Sequence, residues 1–336
     1  MKYPIPRALL LAAIAAACGS STWAQQVQVG GQVRLTVNSV RTGQGGSVTS
    51  LTDNASRLSF RGSEDLGGGL KALFGLELGY SADTGTLGTP AYRYSYAGLS
   101  GAAGTVAMGR LDSGNPTGSP IYSQVTAITT FAPNDAGATA IGTSMLNARN
   151  RSSNSIGYRS PKFGGAELLA RYYLRGEGTA TEAEDDARSL DLGLLYRAGP
   201  VVAGVAYAKD SRSGGLRNNE FDDKWQIGAR VKLGPVEPYL LIGEDRFKNT
   251  ASSRRKVQYA MAGATCTLGL NTLVVNHLQR DVQSNLRGQR KRWQAAWLYA
   301  LSKRTELQAF YDNDGIDSSR TNVKVKALGA GIKHVF

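Results

Sequence analysis

Arg57, Ser59, Arg61 and Ser63 alternate with Leu58, Phe60 and Gly62, so a period of two puts a pair of guanidiniums on one face of a short segment. Arg34 takes the same polar parity in an earlier segment, opposite Val33 and Leu35. Lys71 and Glu77 add charge to the polar face of a third, in which Leu70, Ala72, Phe74, Leu76, Leu78 and Tyr80 form the other face. Rows of fixed cations of this kind can attract and sort anions, but they supply neither a nucleophile nor a base. Catalytic chemistry is poorly provided for. Only His277 and His334 offer imidazoles, and His277 shares its parity with Leu273, Val275 and Gln279, with no nucleophile motif beside it. Beyond the leader described below, Cys266 is the one cysteine, and one thiol with two histidines makes no zinc cluster. The acidic run Glu182, Glu184, Asp185 and Asp186 lacks the fixed spacing of a calcium loop and reads as a solvated loop. The chain is therefore expected not to be an enzyme and to need no metal or cofactor.

The segments that carry these charges are about ten residues long and recur along the chain as hairpins, joined alternately by tight Gly-rich turns and longer polar loops. Arg57–Tyr80 turns at 65–69, and Tyr94–Asp112 near 101–104. Ser155–Glu177 turns at 162–165, Ser189–Asp210 at 199–200 and Lys224–Arg246 at 234–235. Val257–Val282 turns near 269–271 and Arg292–Asp314 at 302–304. With Val27–Val40 first and Lys326–Phe336 last, this makes sixteen strands. An even number suits a closed antiparallel barrel, which has no edges and satisfies its backbone within lipid. About forty residues between Asp112 and Ser153 show no sustained alternation, and a loop of that length usually has a task. Its expected place is inside the barrel.

Lys2 and Arg7, the apolar run Ala8–Ala17 and the small residues Thr22 and Ala24 read as a secretory signal peptide over residues 1–24, leaving 25–336 as the barrel domain. A lipoprotein site at Ala15–Cys18 would lack the large aliphatic residue such sites prefer. Removing the leader takes away two cations and no acid, so a formal net charge of +13 becomes +11. No later apolar run is long enough to span a bilayer as a helix, and the mean hydropathy is −0.26. A transmembrane barrel produces this average, because lipid-facing and lumen-facing residues alternate. The cations are scattered along strands and loops, unlike a nucleic-acid footprint. Local runs at Arg254–Lys256 and Arg290–Arg292 fit anionic lipopolysaccharide at loop edges or a solvated face. Fifteen aromatic residues from Tyr92 to Tyr311, Tyr94, Tyr96, Tyr239, Tyr259 and Phe310 among them, are expected near strand ends as interfacial girdles.

The final strand places Phe336, His334, Ile332, Ala330 and Leu328 on one face and resembles the terminal assembly signal of bacterial outer-membrane barrels, with His334 and Phe336 in the signal positions. A chain finishing on such a strand is expected to have closed its barrel. Together with it, SRLSFRGSEDLGGGLKALFGLELGY, GTVAMGRLDS, NSIGYRSPKFGG and ALSKRTEL resemble the general porins of Gram-negative outer membranes, the betaproteobacterial type in particular. The resemblance implies a 16-stranded antiparallel transmembrane β-barrel, all-β, usually a homotrimer, with an inward-folded third loop at about 113–153. It also implies wall arginines facing acids on that loop. Arg57 and Arg61 match wall positions by motif and parity, and Arg110 and Arg151 by motif alone, since alternation from Val106 and Met108 leaves Arg110 ambiguous. Between Ser113 and Asn150 the only acid is Asp135, with Asp112 at the loop's base. The expected function is passive diffusion of small hydrophilic solutes, anions preferred, in contact with outer-membrane lipid and lipopolysaccharide and with no nucleic-acid partner. A barrel serving mainly as an adhesin or anchor is the alternative, and a secreted soluble all-β binding protein a more remote one.

Overall fold

A computed structural model of the chain describes residues 26–112, Thr117, Pro120, 151–174, 188–211, Leu216, 221–250, 253–283, 288–318 and 322–336. Seventeen strand segments form a single sheet. They are β1 (Gln26–Thr42), β2 (Ser47–Asp53), β3 (Arg57–Gly67), β4 (Leu70–Ser81), β5 (Thr86–Gly101), β6 (Gly104–Leu111), β7 (Ser152–Arg159), β8 (Ala166–Leu174) and β9 (Arg188–Ala198). The second half comprises β10 (Val201–Ser211), β11 (Phe221–Val231), β12 (Val236–Thr250), β13 (Ser253–Leu268), β14 (Asn271–Gln283), β15 (Gly288–Ala300), β16 (Thr305–Ser318) and β17 (Asn322–Val335). Apart from β2 and β3, each pairs antiparallel with the next, and β1 pairs with β17 from Gln32↔Val335 to Thr42↔Val325, which closes the sheet on itself.

Seventeen segments make sixteen staves. β2 and β3 are the upper and lower halves of one stave, both paired with β1 and parted at 54–56. The break leaves few loose ends. Asn54 N–H donates to the Arg34 carbonyl, Arg34 N–H to Ser56 Oγ, and the Asp53 carboxylate accepts from the Ser56 and Ala82 N–H groups. A backbone that leaves the ladder inside a membrane must be satisfied in this way.

Alternation sorts the side chains. On the outer face Val37, Leu51, Met108, Leu168, Val205, Ile227, Leu240, Leu273, Val275 and Leu328 are exposed, while polar and charged residues are buried on the inner face. Gln32, Arg34, Thr36 and Asn38 of β1 are an unbroken example, none more than 8% exposed. Glycine is needed where aromatic rings lie across a neighbouring strand. A Cβ on Gly75 would lie 2.5 Å from the Tyr96 ring and one on Gly263 2.5 Å from the Tyr239 ring, each pair being direct ladder partners.

The register corrects the girdle expectation in part. Tyr92, Tyr172, Tyr196, Tyr207, Trp293 and Trp297 are exposed, on the outer face. Tyr94, Tyr96, Tyr173, Tyr239, Tyr259 and Phe310 are instead buried on the lumenal face. Proximity to a strand end could not separate the two faces. The basic runs are divided in the same way. Arg290 and Arg292 are buried in the lumen, whereas Lys291 between them is exposed on the outside.

The candidate selectivity site in the lumen

Three ladder rungs build the site. Gln32, Arg57 and Gly79 stand in one row across β1, β3 and β4. Gly30, Ser59, Glu77 and Tyr94 form the next, and Gln28, Arg61, Gly75 and Tyr96 the third. All share the lumenal parity of Arg34. Glycines opposite Arg57 and Arg61 leave space for the two long side chains, and a recess of about 500 Å³ is lined by Gln28, Gln32, Arg57, Ser59, Arg61, Glu77 and Lys333.

Glu77, 4% exposed, is the carboxylate at the centre. Arg93 donates from Nε to its Oε1 at 2.7 Å, and Arg57 Nε lies 3.5 Å from its Oε2. Arg93 reaches it through a β-bulge: Glu77 faces Tyr94 and Leu78 faces Tyr92, so Arg93 is the extra residue and its side chain is redirected. Arg61 donates to the Tyr94 hydroxyl at 2.7 Å, with its guanidinium carbon 5.4 Å from that ring's centroid, and makes no ion pair among the described residues. Arg34 donates from Nε and Nη2 to Gln308 Oε1 at 3.0 and 2.9 Å. Two guanidiniums thus share the Glu77 carboxylate, while those of Arg34 and Arg61 are held by a neutral amide and a neutral phenol. A low-dielectric wall with one sign of charge focuses its field into the water-filled lumen.

Other parts of the lumenal wall pair their charges locally. Arg171 with Asp191, Lys224 with Asp245, Arg290 with Asp314 and Arg292 with Asp312 are buried ion pairs. Within each of these pairs the charges cancel.

Not every expected residue joins the cluster. Arg110 faces Ser95 in the ladder with β5; it donates to the Tyr92 carbonyl at 3.0 Å and to Ser153 Oγ at 2.8 Å. The ladder with β7 shifts between Gly109 and Leu111, so Arg110 stands at a bulge where parity with Val106 and Met108 does not set its face. Arg151 forms an ion pair with Asp112 at 2.9 Å, at the two ends of the long connection. Lys71 has lumenal parity but is exposed near the 67–70 turn, six residues along β4 from Glu77. Asp135 lies outside the described residues, as do the leader and most of 113–150. Of that stretch Thr117 and Pro120 are described, and both are buried. Thr117 sits against the lumenal face of β7, its Oγ1 2.5 Å from where a Cβ on Gly157 would be.

At the seam the Phe336 N–H donates to the Gly31 carbonyl at 3.1 Å, and the Phe336 carbonyl accepts from the Gly31 N–H at 3.0 Å. His334 Nδ1 lies 2.9 Å from Thr305 Oγ1, tying the last strand to β16.

Alternation alone does not assign Arg93 and Tyr94 to this site. Read as outward girdle residues, Tyr92, Tyr94 and Tyr96 would share one face; with Tyr94 and Tyr96 inward, strict alternation would put Arg93 on the lipid side, and the register shift brings it to the lumen.

A closed antiparallel barrel with apolar residues outside, polar residues inside and a charged lumenal wall defines a transmembrane channel protein. Residues 10–319 match the family model of the Gram-negative porin, and the chain belongs to that family. It is 28% identical to outer membrane porin protein 32 of Delftia acidovorans over 97% of this chain and 94% of the relative. It is 26% identical to an outer membrane porin protein of Bordetella pertussis over 84% of this chain and 83% of that one. The structure superposes on the anion-selective porin from Comamonas acidovorans with a TM-score of 0.73 and 25% identity, covering 93% of this chain and all of that one. The protein is a passive channel of the outer membrane rather than an enzyme.

Proposed function

We propose that the pore prefers anions and that Arg34, Arg57, Arg61 and Arg93 impose the preference. The observation that carries this reading is the gathering of four guanidiniums on one stretch of lumenal wall, two on Glu77 and Arg61 on a neutral phenol with no ion pair among the described residues. Arg61 is the most available of them, because its partner is a neutral phenol and its charge is left for a passing solute. Similarity to a porin described as anion-selective points the same way. Small hydrophilic anions are the expected solutes, and no step of the mechanism needs a cofactor or a conformational cycle.

Four further parts belong to the same reading. Thr117 on the lumenal face of Gly157 supports an inward course for the segment after Asp112, with Asp112 and Arg151 pinning its base. The subunits assemble as homotrimers, as is usual in the family, and residues 1–24 act as the secretory signal. Above the apolar belt, Glu244 binds Arg246, Lys256 and Gln258. That network sits where lipopolysaccharide headgroups would meet the barrel.

The test is the reversal potential of the purified mature protein in a planar bilayer across a KCl gradient. Stepwise conductance with the sign of chloride preference supports both pore and wall. Cation preference would reject the arginine assignment and keep the channel.

A further inference from the structure

We propose that the lumen holds a second anion station, centred on Arg280 of β14, that takes an oxyanion of the phosphate class. The proposal rests on the pore reading but not on the selectivity site, from which β15, β16 and β17 separate Arg280 along the sheet.

Arg280 has lumenal parity and lies in direct register between Tyr259 of β13 and Arg290 of β15. Two like charges on adjacent rungs repel, and a fold keeps such a pair only where something else offsets it. Arg290 is neutralised by a two-point bond to Asp314, with Nε donating to Oδ1 at 2.9 Å. Arg280 has no such partner. It makes no hydrogen bond or ion pair among the described residues, and its Nε is shielded from solvent with nothing to donate to. An unmade bond from a buried cationic donor is costly, so a ligand that supplies the acceptor is favoured there.

The surroundings define the ligand. Arg255 also faces the lumen, its guanidinium carbon 4.1 Å from the Phe247 ring centroid, which fixes the plane of the fork. Lys224 is paired with Asp245 and stands 4.7 Å from the centroid of the Tyr259 ring. Among the described residues Lys224 is paired with Asp245 and Arg290 with Asp314, and Arg280 stands beside both pairs with its own charge unmatched. An oxyanion supplies the acceptor that the Arg280 Nε lacks. Planar guanidinium forks match the several oxygens of a phosphate, which accept parallel N–H bonds, whereas a chloride ion cannot use the geometry. Phosphate would then dwell at the station while chloride passes.

Inorganic phosphate is the probe. In a planar bilayer with the full mature chain in KCl, phosphate should lower the chloride current in a saturable manner. Arg280→Gln should raise the half-blocking concentration about tenfold, the loss of one charge-assisted contact, and Arg280→Lys should recover part of it. Lys291→Gln, one residue from Arg290 but on the outer face, should leave the block as it was. An unchanged half-blocking concentration in Arg280→Gln, or a block abolished by Arg61→Gln alone, would overturn the station and leave the pore. Were the protein to conduct nothing, calorimetric titration of the detergent-solubilised protein with phosphate would still decide. Binding that weakens on Arg280→Gln upholds the station, and equal binding removes it. Heat-modifiable migration of each variant confirms that the barrel has formed.

Discussion

Arg93 donates to Glu77 at 2.7 Å although the ladder sets Glu77 opposite Tyr94 and gives Arg93 no rung of its own. The bulge turns what would be a lipid-facing arginine into a lumenal one. The same shift leaves Tyr94 inward, where its hydroxyl receives Arg61. One extra residue in β5 therefore orders two of the four cations and binds them, through one acid and one phenol, to a single patch of wall.

The double change Arg57→Ser with Arg61→Ser should lower the chloride-to-potassium permeability ratio while the barrel still folds. A unit charge about 6 Å from an ion in water is worth about 0.7 kcal/mol, attracting chloride and repelling potassium, so the difference of about 1.4 kcal/mol sets an upper bound of roughly tenfold in the ratio for each arginine before salt screening. Reversal potentials measure the ratio, and an unaltered value would sink the assignment of these residues to selectivity.

Glu77→Gln should move selectivity the other way. It removes the negative charge that Arg57 and Arg93 share and leaves only a neutral amide oxygen to accept from them, so anion preference rises. Stability should fall by about 1–3 kcal/mol, the usual cost of stranding charged donors. Reversal potential and thermal unfolding in detergent report the two effects separately, and a drop in anion preference would contradict the reading of Glu77 as the counter-charge.

Gly31→Ala should weaken closure of the barrel. A Cβ at Gly31 would lie 2.6 Å from the Phe336 ring and would also collide with the Arg57 carbonyl. Overpacking of this kind costs about 1–3 kcal/mol, and here it acts on the seam between β1 and the chain end. Unheated gel migration should show a smaller folded fraction, and wild-type behaviour would mean that the seam tolerates separation of Gly31 from Phe336.

Arg171 and Asp191 are both fully buried on the lumenal side of β8 and β9, with Nη2 3.8 Å from Oδ2. Asp191→Ala strands a buried guanidinium and should destabilise the barrel by about 3–5 kcal/mol, whereas Arg171→Met with Asp191→Leu should recover most of the loss. Urea titration of folding into detergent micelles distinguishes these outcomes; a double variant as unstable as the single one would mean that the pair does more than neutralise itself.

Much of the architecture was legible in the residues alone, because a β-barrel writes its two faces into a period of two. Sixteen staves, the tight turns at 65–69 and 199–200, and the lumenal parity of Arg34, Arg57, Arg61 and Glu77 all follow from that alternation. What alternation cannot register is an added residue. The bulges at Arg93 and Arg110 and the break at 54–56 depend on how neighbouring strands align, and a one-residue slip exchanges lumen for lipid. Tyr94 and Tyr239 show the same limit, since an aromatic ring suits either face and only its cross-strand partner decides. Glu77 could be read as a charge facing inward. That it gathers Arg57 and Arg93 while Arg61 turns to a phenol was decided by the closed sheet, which brings strands remote in sequence within hydrogen-bonding distance.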